Sequence, residues 1–297
     1  MNSSSFGETS KNQIKTVQMK NNILITFFAV SLLFGCKSHD FSENQEEQKE
    51  GNIENINIPI REYSIQSVLW QQQAAEYRAL AYQSFNLAQI QLDNMIAHKM
   101  DFKKPLAIVT DIDETVLDNS PYSGKQIELD EEYSTLRWKE WVQKKKAKAI
   151  PGALDFFNYA KSKGVEVFYI SNRSTKQKTE TIENLQITGF PFADGAHVLL
   201  KDTISGKEPR RLQVQDTHEI VLLIGDNLSD FSEVFDDRST IERNRTADSL
   251  KAVFGVKFIV LPNPIYGDWE TKGILEGKYD WTNFQKDSIR HQKIRSY

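Results

Sequence analysis

Short continuous apolar runs, three of them followed directly by a small or acidic residue, alternate along this chain with segments whose apolar positions recur every three or four residues. The runs 107–110, 165–170, 197–200, 219–224 and 257–261 are apolar without alternation, which predicts strands buried on both faces of a parallel sheet. Between them, 151–163 opens with Pro151-Gly152 and closes at Gly164, as a helix should. Ser174 caps a helix that runs to 187 and ends at Gly189. A helix through Leu212 follows the turn Ser205-Gly206-Lys207-Glu208-Pro209, and another covers 240–254. Ahead of the first strand, Trp70, Ala74, Tyr77, Ala81, Phe85, Ala88, Leu92 and Met95 form one apolar stripe. That stripe belongs to one long helix or to two, with Ser84 as the candidate break. Strands alternating with helices mean βαβ units and right-handed crossovers. The stretch Asn119-Ser-Pro121-Tyr122-Ser-Gly124 reads as a turn cluster. After it, Trp138 and Trp141 share a helix face, and Lys144, Lys145, Lys146 and Lys148 make a solvated surface. An insertion at 119–149 would lie over the C-terminal end of the first strand, as a cap does.

Composition adds two facts. The 37 basic and 41 acidic residues nearly balance, which argues against nucleic acid as the partner. The chain has a single cysteine, Cys36. Met19-Lys20 precedes an apolar stretch from Ile23 to Phe34, too short to span a bilayer, that ends Leu33-Phe34-Gly35-Cys36. This is the layout of a secretory signal. Leu-x-Gly-Cys resembles the bacterial lipobox, which implies acylation of Cys36 after cleavage. The expected organisation is a signal peptide over 1–35 with the native start at Met19, then a polar, acidic, flexible tether over 36–57. A folded domain over 58–297 follows, with a helical subdomain from 58–102 and 119–149.

The polar residues gather at strand ends. The first strand ends in Asp111 and Asp113, the second in Ser171, the fourth in Asp226 and Asp230, and Lys207 starts a helix in the intervening unit. In a parallel sheet these ends share one edge, where such folds bind ligands. Asp111 and Asp113 would point to opposite faces of an extended strand unless the chain curls after Asp111. Clustered carboxylates repel, and a hard divalent cation relieves them. Oxygen-only ligation suits Mg²⁺ better than Zn²⁺. None of the five histidines, His39, His98, His197, His218 and His291, pairs with another at ligand spacing. A metal, a lysine and a hydroxyl can orient a phosphoryl group. One aspartate can then form an aspartyl-phosphate, while the other protonates the leaving oxygen and later activates water.

Asp111-x-Asp113-x-Thr115, Ser171, Lys207 and Gly225-Asp226-x-x-x-Asp230 resemble the four motifs of the haloacid dehalogenase superfamily of phosphatases. The flanking residues, Asp-Ile-Asp-Glu-Thr-Val-Leu-Asp-Asn-Ser-Pro-Tyr and Gly-Asp-Asn-Leu-Ser-Asp-Phe, are similar to those of the class C bacterial acid phosphatases of the lipoprotein e family. The resemblance implies an α/β fold: a Rossmann-like three-layer α/β/α parallel sheet with a smaller, mostly helical cap and N-terminal subdomain. It implies Asp111 as nucleophile and metal ligand, and Asp113 as general acid/base with its backbone carbonyl on Mg²⁺. Asp226 becomes a ligand, and Asp230 a ligand or the partner of one. Ser171 and Lys207 hold phosphate oxygens, with Lys201 the rival lysine. Relatives of this kind hydrolyse nucleoside 5′-monophosphates, stack the base between aromatics at positions matched by Trp138 and Tyr266, sit in the outer membrane and suggest a homodimer. Two other readings stand beside this one: a broad phosphomonoesterase without nucleoside preference, and a non-catalytic surface binding protein on the same fold. Asp113 must carry a proton to act as an acid, and neighbouring carboxylates would help it do so, which predicts fastest hydrolysis below neutrality.

Overall fold

Each apolar run becomes a strand because both of its faces are covered. The computed structural model describes residues 59–97 and 102–297. β1 (Leu106–Thr110), β4 (Glu166–Ser174), β5 (Val198–Lys201), β6 (Glu219–Gly225) and β7 (Phe258–Val260) form a five-stranded sheet in the order β5-β4-β1-β6-β7. Every pairing is parallel, and β1 lies at the centre. Alternate residues of β1 serve opposite layers. Ile108 packs in a core with Val167, Tyr169, Leu222, α2 (Ala75–Ala97) and α5 (Ala153–Ser162). Ala107 and Val109 pack in the other with Phe168, Ile170, Leu223, Phe231 and Val214 of α7 (Glu208–Thr217). The result is the expected three-layer α/β/α arrangement.

The N-terminal stripe is two helices, α1 (Ile65–Gln73) and α2, and the break falls at Ala74 rather than Ser84. Ala74 is extended, with ψ 129°. Ser84 stays inside α2, and its hydroxyl donates to the Val260 carbonyl at 2.8 Å, tying the helix to β7. Tyr77, Ala81, Phe85, Ala88 and Leu92 are buried in the same core as α5, so α2 packs as part of the layer that covers this face of the sheet. Both α2 and α5 approach closely at Gly152, where an added Cβ would meet Phe85 and Tyr82 at 3.2 Å.

The 119–149 segment also differs from its expectation. Asn119-Ser-Pro121 is not a turn but the start of α3 (Ser120–Leu129), with Pro121 in the first turn, where its missing N–H is harmless. Asp130, left-handed at φ 51°, ends it. Ser134 caps α4 (Thr135–Lys144) by accepting from the Arg137 N–H at 3.2 Å. A short antiparallel ribbon of β2 (Leu117–Asp118) and β3 (Lys148–Ala149) joins the two ends of this excursion. The remaining helices are α6 (Lys178–Thr188), α8 (Thr240–Ser249) and α9 (Asn283–Lys293). α8 is shorter than its apolar pattern suggests, while α7 runs on to Thr217. A π-helical turn over Trp269–Ile274 and α9 complete the chain and have no counterpart in the sequence reading. Among the described residues no helix is long and apolar enough to cross a membrane. The signal, Cys36 and tether expectations lie outside the described residues.

The opposite, N-terminal edge of the sheet holds a cluster that sequence spacing does not reveal. His197 Nε2 lies 3.1 Å and His218 Nε2 3.3 Å from the same Glu166 carboxylate oxygen. Both imidazoles pack on Phe168 with centroids 4.9 Å away. Burial works to raise the Glu166 pKa, but hydrogen bonds from the two histidines outweigh it and hold the group below the ordinary 4.5. A lowered carboxylate contributes stability that is present above its unfolded value and lost as pH falls through the folded one. Glu166→Gln should therefore lower the melting temperature at about pH 6, where the Glu166 carboxylate is ionised. That gap should close as pH drops below 4.5, as followed by circular dichroism on both proteins.

Candidate active site

The end of β1 supplies the curl that brings two aspartates together. The Asp111 N–H donates to the Ile224 carbonyl at 2.9 Å, which extends the β1–β6 ladder to the first carboxylate. Two residues beyond Asp113, the chain turns back on itself: the Val116 N–H donates to the Ile112 carbonyl at 3.0 Å and the Leu117 N–H to the same oxygen at 2.9 Å. Glu114 takes the left-handed conformation at φ 58° to allow this. Its buried carboxylate accepts from the Asn119 N–H at 2.7 Å and from the Tyr266 hydroxyl. Burial, then the Asp113 charge, push the Glu114 pKa up to about 8, against the hydrogen bonds from Tyr266 and Asn119. Both Asp111 and Asp113 consequently line one cleft of about 630 Å³.

Asp111, Asp226 and Asp230 form one cluster, with a carboxylate oxygen of each lying within 4.8 Å of the others. Asp226 is oriented by the Thr115 hydroxyl at 3.1 Å and the Asn263 amide at 2.8 Å. Asp230 accepts from the Asn227 N–H at 3.0 Å, and Arg211 grips its backbone carbonyl at 2.8 Å. Burial first, and then the Asp230 charge, raise the Asp226 pKa to about 8. Burial and the charges of Asp230 and Asp226 likewise hold Asp111 well above the ordinary carboxylate range, although Lys207 pulls the other way. The Lys207 ammonium, buried at the head of α7, contacts Asp111 Oδ1 and lies 2.6 Å from Asp230 Oδ1. Burial disfavours its charge, but the two aspartates outweigh this and raise its pKa. One ammonium against three carboxylates leaves the cluster short of positive charge. An all-oxygen donor set of this kind fits a hard divalent cation such as Mg²⁺.

Asp113 faces different company. Arg173 donates to its Oδ1 through Nε at 2.9 Å and through a terminal nitrogen at 2.8 Å. The Asn119 amide adds a third donor at 2.8 Å. Ser171 donates to Oδ2 at 3.1 Å and itself accepts from the Arg173 N–H at 3.0 Å. The direct contacts of Asp113 are thus donors, not the carboxylates from which an acid optimum was expected. Arg173 went unassigned in the sequence, although it closes the same strand end as Ser171. Its guanidinium also lies 5.3 Å from the Trp138 ring centroid.

Trp138 and Tyr266 both line the cleft. Trp138 meets Tyr122 edge to face at 5.1 Å, and Tyr266 is 40% exposed while its hydroxyl is tied to Glu114. Lys207 lines the cleft too, whereas Lys201 ends β5 outside that lining.

The family described as HAD superfamily, subfamily IIIB (acid phosphatase) matches residues 20–269. Among solved structures, the class C acid phosphatase from Bacillus anthracis is 44% identical, with a TM-score of 0.77 over 81% of this chain and 100% of that one. A structure of that enzyme with tungstate bound has a TM-score of 0.78 at the same identity and coverage. Among curated proteins, a stem 31 kDa glycoprotein of Glycine max is 32% identical over 40% of this chain and 49% of its own length. Acid phosphatase 1 of Solanum lycopersicum is 26% identical over 53% of this chain and 57% of its own. The chain spans about half the length of the curated relatives it matches.

Gly225 is the residue on which the acidic cluster closes. A Cβ added there would lie 2.5 Å from both the Cβ and Oδ2 of Asp230, nearer than real Cβ contacts allow. Gly225→Ala should push Asp230 away from Lys207 and lower phosphate-ester turnover about ten- to a hundredfold, with the far-ultraviolet circular dichroism spectrum retained.

Proposed function

This chain belongs to the acid phosphatases of HAD superfamily subfamily IIIB, and from that premise we propose a Mg²⁺-dependent phosphomonoesterase that acts through an aspartyl-phosphate and prefers nucleoside 5′-monophosphates. The observation that carries the reading is the convergence of Asp111, Asp226, Asp230 and Lys207 in one cleft with Asp113. Lys207 holds Asp111 Oδ1, which leaves Oδ2 as the attacking atom. The new bond from Asp111 to phosphorus forms as the ester P–O bond breaks. Asp113 delivers its proton to the departing oxygen, then takes one from the water that attacks the aspartyl-phosphate and releases phosphate. Asp113 Oδ1 takes three donor contacts from Arg173 and Asn119, whereas Oδ2 takes only the Ser171 hydroxyl at 3.1 Å and a longer Arg173 Nε contact at 3.3 Å. Oδ2 is therefore the oxygen freer to exchange this proton with substrate once Ser171 turns to a phosphoryl oxygen. Ser171 and Lys207 are placed to hold transferring phosphoryl oxygens, and Arg173 fixes the acid/base in position. Mg²⁺ held by Asp111, Asp226, Asp230 and the Asp113 carbonyl would supply positive charge against the phosphoryl group.

Nucleotide preference is supported by Trp138 and Tyr266, whose aromatic surfaces line the cleft that must take the leaving alcohol. We place the protein at the bacterial cell envelope, in the outer membrane, held there by lipid on Cys36. The signal-like stretch before that cysteine supports the placement.

Asp111→Asn should abolish turnover by about four orders of magnitude or more, since a carboxamide cannot form the intermediate. EDTA should silence the wild type, and added Mg²⁺ should restore it. Adenosine 5′-monophosphate should show a higher kcat/KM than phenyl phosphate in a phosphate-release assay, and equal values would leave a broad phosphomonoesterase. Cys36→Ser should move the protein from the membrane fraction of the producing cell to the soluble fraction, as read by immunoblot.

A further inference from the structure

The cleft extends outward from the reacting groups past Arg173, Trp138 and Tyr122 to Arg61. Arg173 holds Asp113 and lies over Trp138. Trp138 meets Tyr122 edge to face at 5.1 Å, and the Tyr122 phenol feels the charge of Arg61. At this outer end one side chain departs from the rule that buried charges are paired. Arg61 lines the cleft and is only 9% exposed. Its guanidinium donates to the Tyr63 hydroxyl at 2.9 Å, and its Nε, fully buried, has no hydrogen-bond partner. Among the described residues no carboxylate lies within ion-pair distance of that guanidinium, although its backbone N–H donates to Asp130 at 3.0 Å.

The neighbouring cations on the rim are neutralised. Lys286 lies 2.7 Å from Glu132, Arg290 lies 2.9 Å from Glu270, and Lys278 lies 3.4 Å from Glu276. The Arg290 and Arg61 guanidinium carbons lie 3.5 Å and 5.3 Å from the centroid of the same Tyr63 ring. Two cations thus flank one aromatic ring, and one of them lacks a counter-charge.

We propose that Arg61 anchors a second anion subsite, which takes a phosphate carried on the alcohol half of the substrate. The substrate class is therefore phosphomonoesters whose leaving group bears a further phosphate, a nucleoside bisphosphate being the simplest case. This rests on the phosphatase reading above and narrows it. An anion there supplies the counter-charge that the guanidinium lacks, in the fork geometry that suits phosphate.

The test compares adenosine 5′-monophosphate, adenosine 3′,5′-bisphosphate and phenyl phosphate on the full chain with Mg²⁺ present. The bisphosphate should show a KM about tenfold below that of the monophosphate, the effect of one charge-assisted contact. Arg61→Gln should erase that advantage, raising the bisphosphate KM far more than the phenyl phosphate KM. Arg61→Lys keeps the charge without the fork, and should retain part of the advantage. Equal KM values for the two nucleotides in the wild type overturn the subsite. So does an Arg61→Gln protein that folds, by circular dichroism, and loses all three substrates alike. Should Arg61→Gln fail to fold, Arg61→Lys decides, and an undiminished advantage in it also overturns the proposal. Calorimetric affinities for the two nucleotides give the same comparison without turnover. A wild type that hydrolyses none of the esters yet binds the bisphosphate more tightly sinks the phosphatase reading and keeps the subsite.

Discussion

Lys207 is the charge on which the site depends. Without its ammonium, the carboxylates of Asp111 and Asp230 would face each other and Asp226 across less than 4.8 Å in a largely buried place. Removing one partner from such a cluster leaves uncompensated buried charge, a loss of about 3–5 kcal/mol. The lysine does not remove the stress altogether: burial and mutual repulsion still hold Asp111 and Asp226 above the ordinary carboxylate range. That unrelieved repulsion is what separates the cluster from a closed salt bridge.

The fold delivers these groups by topology. β1 is central and flanked by β4 and β6, so the ends of three adjacent strands bring Asp111, Ser171 and Asp226 to one edge. Lys207 arrives at the first turn of α7, which packs on the same sheet through Val214. Arg211, one turn further along that helix, holds the Ser229 and Asp230 carbonyls at 3.1 and 2.8 Å. One helix therefore supplies both the counter-charge and the brace for the loop that carries the third carboxylate.

Much of this was legible in the sequence because it follows from burial on both faces and from acidic residues at strand ends. The five apolar runs lie within one or two residues of the strands, save that β4 runs on to Ser174. What escaped depended on tertiary partners. Ala74 carries no breaker signal, yet it ends α1 where the chain must redirect toward the sheet. Pro121 reads equally well as a turn residue or as the opening of a helix, and the local sequence does not choose. Arg173 looks like a polar strand end until Asp113 is placed opposite it. His197 and His218, far apart in the chain, meet only because β5 and β6 begin near Glu166 on the same edge.

The small ribbon of Leu117–Asp118 with Lys148–Ala149 separates the chain over the cleft from the chain beneath it. Because the excursion leaves and re-enters the domain at adjacent points, its loop closure is already met at the neck, and lengthening it adds only slowly to the entropic cost. Sheet register does not pass through α3 and α4. Cleft-lining residues of this excursion, such as Tyr122, Gln126 and Trp138, can thus be exchanged, shortened or elaborated over evolutionary time, while Asn119 at the neck keeps its hold on Asp113. Substrate diversity on an unchanged engine is what such a hinge-point architecture permits.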